Sequence, residues 1–286
     1  MKTKHPTTGT GRLASVRWWG FTLRAHRLSS LLRKGKDHHK GLRTDEDQPF
    51  ILPKILCGGA GVQNPRRRHQ NARERMMMKL HCFGESGNAY KAALALQLSG
   101  LPWEAEYVDF FGGQTRGGDF RQKNVMGEVP VLEDGDTVLT QSGVIQLYVT
   151  EKTGKFGGQT PAEAREVMRW MFWDNHKMSS QAGMTRFLMN FLPPEKRPQE
   201  VIAFSQGRLK AAFATLDAAL AGRDWLVGDA ITHADIACCG YLFYPEPFGF
   251  DRGDWANINR WLDNIAAMPG WAHPYDLMPG NPSDRA

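Results

Sequence analysis

The stretch Gly127-Glu128-Val129-Pro130-Val131-Leu132, followed eight residues later by Thr140-Gln141-Ser142-Gly143, decides how the chain is read. It describes a strand entered through a proline, a turn at Asp134-Gly135, a second strand and the start of a helix. Proline at a strand start withholds one ladder donor and can follow a cis bond. The amide and carbonyl of Val129 are then left to pair with an outside peptide. Ser142 at a helix start offers a hydroxyl, main-chain N–H groups and a positive dipole end to a carboxylate. Together these features suit a short acidic peptide. Taken alone, the stretch also suits an ordinary strand, turn and capped helix.

Upstream, 79–83 reads as a short apolar strand. Residues 88–99 read as a helix, with Leu94, Leu98 and Leu101 at i, i+4, i+7 spacing and Gly100 and Pro102 as its stop. Residues 103–110 alternate as a second strand, and 119–126 form a weak helix. Residues 129–132 and 137–140 make a hairpin across 133–136, and 142–152 a helix. The order is βαβ, then α, then ββα. This is the thioredoxin-like order, with the first strand pair parallel and the hairpin antiparallel.

Downstream the pattern turns helical. Residues 155–161 are Gly-rich and read as a linker. Residues 162–182 carry Val167, Trp170, Met171, Trp173 and Met178. Residues 199–221 carry Ile202, Leu209, Phe213, Leu216 and Leu220 on one face, ended by Gly222. Residues 255–267 carry Ile258, Trp261, Leu262 and Ile265. Thr232-His233-Ala234-Asp235 is a capping box opening a further helix, with Ile231 and Ile236 placed for a hydrophobic staple. Thr232 and Asp235 are therefore structural. The fold class is α/β plus all-α: a thioredoxin-like domain over 78–154 and a helical-bundle domain over 162–280.

The chain has 286 residues and a formal charge of +6, unevenly split. Residues 1–75 hold 17 Lys+Arg against 5 Asp+Glu, and the remainder 19 against 25. An acidic body behind a basic leader does not call for nucleic acid. Residues 1–75 lack apolar periodicity and read as a disordered leader. Three origins fit: translated sequence upstream of a start at Met76, Met77 or Met78, a native tail, or a transit peptide. The first is preferred, because Met78-Lys79-Leu80 opens the first strand at once. Cys57, Cys82, Cys238 and Cys239 show no metal-ligand spacing, and His38-His39 is isolated. No metal site is expected, and the setting is a reducing cytoplasm. No run approaches the roughly 18 apolar residues of a membrane span.

With Ser86-Gly87-Asn88-Ala89-Tyr90-Lys91 after the first strand, Val129-Pro130, Gln141-Ser142 and Thr232-His233-Ala234-Asp235 in this order, the chain resembles a glutathione transferase of the bacterial soluble type. The resemblance covers roughly 78–280. It implies glutathione as co-substrate, an electrophilic and apolar second substrate, and a homodimer. It also implies a cis Pro130, pairing of Val129 with the cysteinyl unit, and a γ-glutamyl end held by Gln141 and Ser142. Gln141 stands where many relatives have Glu, and Glu128 where a basic residue is common.

Glutathione reacts as the thiolate, and a free thiol of pKa about 8.5 is mostly protonated at neutral pH. A hydroxyl donor and a helix N-terminus both favour the anion. Ser86 lies in the turn where the family keeps its thiol-activating residue, so it is the first candidate, with Asn88 second and Tyr90 a poorer one. Ser86 also suits an N-cap, and the two roles are compatible. Cys82 lies inside the strand and reads as a buried, inert thiol. For the glycyl carboxylate the candidates are Gln114, Arg116 and Lys123. For the second substrate they are Phe111, Trp173 and His176, with Phe187 and Tyr244, although aromatic residues at helical spacing are more often core. Two other readings share the fold: a glutathione-dependent disulfide or peroxide reductase, and a binding protein without turnover.

Overall fold

The computed structural model describes residues 77–280; the leader read from residues 1–75 lies outside the described residues. Four strands form one sheet: β1 (Met78–Cys82), β2 (Trp103–Tyr107), β3 (Val131–Asp134) and β4 (Thr137–Thr140), in the order β2-β1-β3-β4. β1 pairs parallel with β2, Leu80 facing Ala105, and antiparallel with β3, Leu80 facing Leu132. The β3–β4 hairpin closes between Asp134 and Thr137. This is the thioredoxin-like arrangement expected from the sequence.

The strand pattern follows the pleat. Met78, Leu80 and Cys82 are buried on one face of β1, whereas Lys79 and His81 on the other meet Glu106 and Glu133. β2 stops at Tyr107, short of the expected 110, because the chain folds into turns over Val108–Gln114. β3 begins at Val131 rather than 129, since Pro130 has no N–H to give the ladder; the Val129–Pro130 bond is cis.

Three helices accompany the sheet: α1 (Gly87–Ser99), α2 (Gly118–Lys123) and α3 (Ser142–Thr153). α1 is buried almost all round, because it lies between the sheet and the helical domain. It ends where Gly100 adopts the left-handed conformation, φ 81°.

The helical domain comprises α4 (Pro161–Trp173), α5 (Ser180–Asn190), α6 (Gln199–Ala219), α7 (His233–Cys238), α8 (Ala256–Ala266) and the short α9 (Pro274–Leu277). The single helix expected over 162–182 is interrupted. A π-helical turn, Asp174–Ser179, joins α4 to α5, and α5 runs on to Asn190.

Two buried polar clusters join the domains. Lys91 of α1 pairs with Asp174 and donates to Ser179 Oγ at 2.6 Å, and Ser179 Oγ donates to Asp174 at 2.8 Å. Burial drives the Asp174 carboxyl above its ordinary value, against the pull of Lys91. In such a pair the desolvation cost offsets much of the attraction, so its net contribution to stability is small, while removing one partner would strand a buried charge. At the second joint, His233 N donates to Phe156 O at 2.9 Å. Thr150 Oγ1 donates to Lys155 O, which leaves His233 Nε2–H to donate to Thr150 Oγ1 at 2.9 Å. Burial lowers the His233 pKa to about 3, so the ring is neutral.

The capping box forms as read. Asp235 Oδ2 accepts from Thr232 N at 2.8 Å, and Thr232 Oγ1 from Ala234 N at 3.2 Å. Asp235 Oδ1 also accepts from Leu226 N and Trp261 Nε1, both at 2.9 Å. One buried carboxylate thereby ties α7 to α8 and to the loop after α6.

Candidate functional site

The β1–α1 turn is made by Phe83-Gly84-Glu85-Ser86. Ser86 is the N-cap of α1: its backbone is extended and its Oγ accepts from Ala89 N at 3.2 Å. The hydroxyl proton remains to be donated elsewhere. The helical domain fixes the turn by its carbonyls. Tyr244 Oη donates to Gly84 O at 2.6 Å, and Arg186 Nη1 to Glu85 O at 2.7 Å. Gly84 N donates to Pro279 O at 2.6 Å, and a Cβ at Gly84 would collide with the carbonyl of Gly280. Arg186 is itself buried, its guanidinium 3.8 Å from the Tyr244 ring centre and paired with Glu246 at 2.7 Å.

A cleft of about 300 Å³ opens beside this turn. Ser86, Asn88, Glu128 and Val129 line it from the thioredoxin-like domain, and Gly183, Arg186 and Tyr241 from the helical one. Its apolar wall is aromatic. Phe83 stacks on Phe110 at 4.9 Å, and Phe111 meets Phe110 and Phe191 edgewise or tilted, both at 5.3 Å. The Asn88 Oδ1 is buried without a partner among the described residues.

A second cavity of about 280 Å³ contains Gln141 and Ser142 at the start of α3, with Gln146, Met168, Phe172 and Asp174 around it. Gln141 holds a positive φ of 71°, uncommon for a residue other than glycine. Its side chain makes no cap, so no side chain closes off the first turn of α3. Gln141 Nε2 instead lies 3.4 Å from Glu128 Oε2. The two cavities therefore meet at this pair, one charged and one neutral.

Of the residues singled out in the sequence, Ser86, Asn88, Val129, Phe111 and Phe187 share the first cleft, and Gln141 and Ser142 the adjoining cavity. Pro130 is buried behind Val129. The others lie elsewhere. Gln114 folds back on its own loop, its Oε1 accepting from Asp109 N at 2.7 Å. Lys123 pairs with Glu133 on the outer sheet face, and Arg116 is exposed on its turn. Trp173 packs on Trp170 at 5.1 Å and faces a separate depression with Lys177 and Arg208. His176 is exposed on the π-helical turn. Tyr90 is buried and donates to Ala272 O at 3.0 Å, and Tyr244 is a strut of the turn. Cys82 is fully buried, which pushes its thiol up to about 12.

Sequence reading missed Phe83, Phe110, Phe191, Arg186 and Tyr241. No local signal marks Arg186 or Tyr241, which lie about 100 residues or more from Ser86 in the chain. Phe110 could have been found beside Phe111, as its adjacent aromatic where an alternating strand gives way to glycines. Among the described residues no group of His, Cys, Asp or Glu is placed to hold a metal ion, and no helix is long and apolar enough to cross a membrane.

Fold and site together define a two-domain protein with a thioredoxin-like sheet, a proline-bounded strand edge and a helical partner domain. The family model for the glutathione S-transferase N-terminal domain matches residues 76–151, and that for the C-terminal domain residues 180–269. Glutathione S-transferase GstB of Escherichia coli K12 is 31% identical over 198 residues, spanning 68% of this chain and 95% of that one. Mouse glutathione S-transferase theta-2 is 27% identical over 179 residues, spanning 60% and 73%. A glutathione S-transferase structure from Pseudomonas fluorescens Pf-5 superposes with a TM-score of 0.66 at 30% identity, covering 70% of this chain and all of that one. The chain belongs to the glutathione S-transferase family.

Proposed function

We propose that the protein conjugates glutathione to an apolar electrophile, and that 78–154 forms the glutathione-binding domain and 162–280 the domain that completes the second-substrate site. The observation that carries this reading is the shared cleft, in which Ser86, Asn88 and Val129 stand against a wall of phenylalanines. In this reading Val129 pairs its main chain with the cysteinyl unit. The Ser86 hydroxyl donates to the sulfur, with Asn88 beside it. Thiolate stabilisation and proximity then supply the catalysis. Gln141 and Ser142 receive the γ-glutamyl end. Glu128 restores, from the loop before β3, the negative charge that Gln141 lacks, and so faces the α-ammonium. Phe111 and its aromatic neighbours hold the electrophile.

The remaining parts of the reading concern setting and assembly. The buried thiols of Cys82, Cys238 and Cys239 suit a reducing cytoplasm. Exposed Val144 and Phe172, beside the Gln141 cavity, suit the face of a homodimer.

The test follows glutathione consumption with a chlorinated nitroaromatic and, separately, with a small disulfide. Substitution on the aromatic, with release of chloride, is the expected result. Turnover of the disulfide alone would replace conjugation by reduction, and no binding of glutathione would remove both.

A further inference from the structure

On that reading of the cleft, we infer that Tyr241 is a second hydrogen-bond donor to the glutathione sulfur, reaching it from the helical domain while Ser86 reaches it from the turn.

The slot of this phenol is cut by two glycines. A Cβ at Gly87, the first residue of α1, would stand 2.6 Å from Tyr241 Cε1 and Cζ. A Cβ at Gly183 of α5 would stand 2.8 Å from Tyr241 Oη. Gly87 lies between Ser86 and Asn88, so the hydroxyl-bearing carbon rests against the helix start that the thiol would face. Tyr241 lines the same cleft as both residues and is 8% exposed.

The other polar groups of the helical wall are committed. Arg186 donates to Glu85 O, Glu246 and Tyr275 Oη. Tyr244 donates to Gly84 O. Tyr241 Oη meets the Asn88 main chain as an acceptor, which leaves its own proton to be donated into the cleft. A sulfur anion in the cleft would accept it.

The state of the phenol agrees. Burial pushes its pKa up to about 12, with the neighbouring Arg186 and a main-chain hydrogen bond at Asn88 drawing it the other way. At neutral pH Tyr241 therefore keeps its proton and is a donor, never a base. Only the S–H bond breaks, its proton leaving to solvent through the cleft mouth, and the O–H then points to the thiolate. The main-chain bond at Asn88 links the phenol oxygen to the positive end of α1, which strengthens its O–H as a donor.

The experiment titrates the thiolate absorbance of bound glutathione against pH, in the wild type and in Tyr241→Phe, which keeps the ring in its slot. Tyr241→Phe is expected to raise the bound-thiol pKa by about one unit, a factor of ten in thiolate. Turnover at neutral pH should fall by about the same factor, with glutathione affinity within about threefold. If Tyr241→Phe does not accumulate as folded protein, Gly183→Ala, whose methyl crowds Oη, is read in its place for the same direction of shift. An unchanged titration, with glutathione bound, leaves Tyr241 a packing residue and overturns the inference. A wild type that does not bind glutathione in calorimetry overturns the functional reading instead.

Discussion

Ser86 serves two purposes with one oxygen. Its lone pair caps α1 through Ala89 N, and its proton is left for a ligand. Ser86→Ala should therefore cost about 1 kcal/mol of stability, the usual worth of a cap. It should also raise the pKa of bound glutathione and lower turnover roughly tenfold or more, since a hydrogen bond to a charged group is worth about 1.5–3 kcal/mol. Affinity for glutathione should change little, because Val129 and Ser142 remain; a pH–rate profile beside a binding titration separates the two. Glu128 and Gln141 give a second test. Glu128→Gln should weaken glutathione several-fold while leaving a deaminated analogue unaffected, and Glu128→Gln with Gln141→Glu should recover the affinity. Equal losses for both peptides would exclude Glu128 as the ammonium partner. These residues were legible in the sequence because each belongs to a local motif. Their pairing across the site was not, as 13 residues separate them. Arg186 and Tyr241 reach the turn from the far domain, and nothing in their own neighbourhoods announces it.

At the scale of elements, periodicity and caps carried most of the information. Leu94 and Leu98, Gly100, the hairpin turn and the Thr232–Asp235 box each act within one or two turns of chain, so the sheet order and most helices could be read directly. Helix 162–182 was misread because the π-helical turn at Asp174–Ser179 breaks the 3.6-residue phase. Trp173 precedes that turn and packs on Trp170, and His176 lies exposed within it, so neither reaches the cleft. Asp235 fastens the helical domain through donors from three separate places in the chain: Leu226 N, Thr232 N and Trp261 Nε1. Asp235→Ala would leave Leu226 N, Thr232 N and Trp261 Nε1 without their acceptor, and should cost about 3–5 kcal/mol in denaturant unfolding. His233 sets an acid limit at the other joint. Its folded pKa of about 3 lies below the ordinary imidazole value of 6.5, so the unfolded chain binds the extra proton between them. The stability it contributes is complete above pH 6.5 and lost on acidification toward 3, by about 1.4 kcal/mol per pH unit. In His233→Gln the acid slope of unfolding free energy between pH 6 and 4 should be shallower by about that amount. Equal slopes would mean that the buried ring is not neutral.

At the scale of the molecule, the two-domain architecture was legible because a switch from period-two strands to helical spacing falls at one Gly-rich segment. The cleft was less legible, because a cavity between domains depends on how their faces meet. Those faces meet at pairs such as Lys91 with Asp174, 83 residues apart. The exposed Phe172 and Val144 flank the start of α3, and a second copy of the chain should cover them. Light scattering should report a dimer at micromolar concentration, and Phe172→Glu should yield monomers with weaker glutathione binding. A monomeric wild type would contradict this. The most direct test of the whole account is a crystal structure with glutathione bound. The account predicts the sulfur within hydrogen-bond reach of Ser86 Oγ, the cysteinyl main chain paired with Val129, and the γ-glutamyl end at Gln141, Ser142 and Glu128. A peptide bound away from the Ser86–Val129 cleft, or a cleft that stays empty at saturating glutathione, would contradict it.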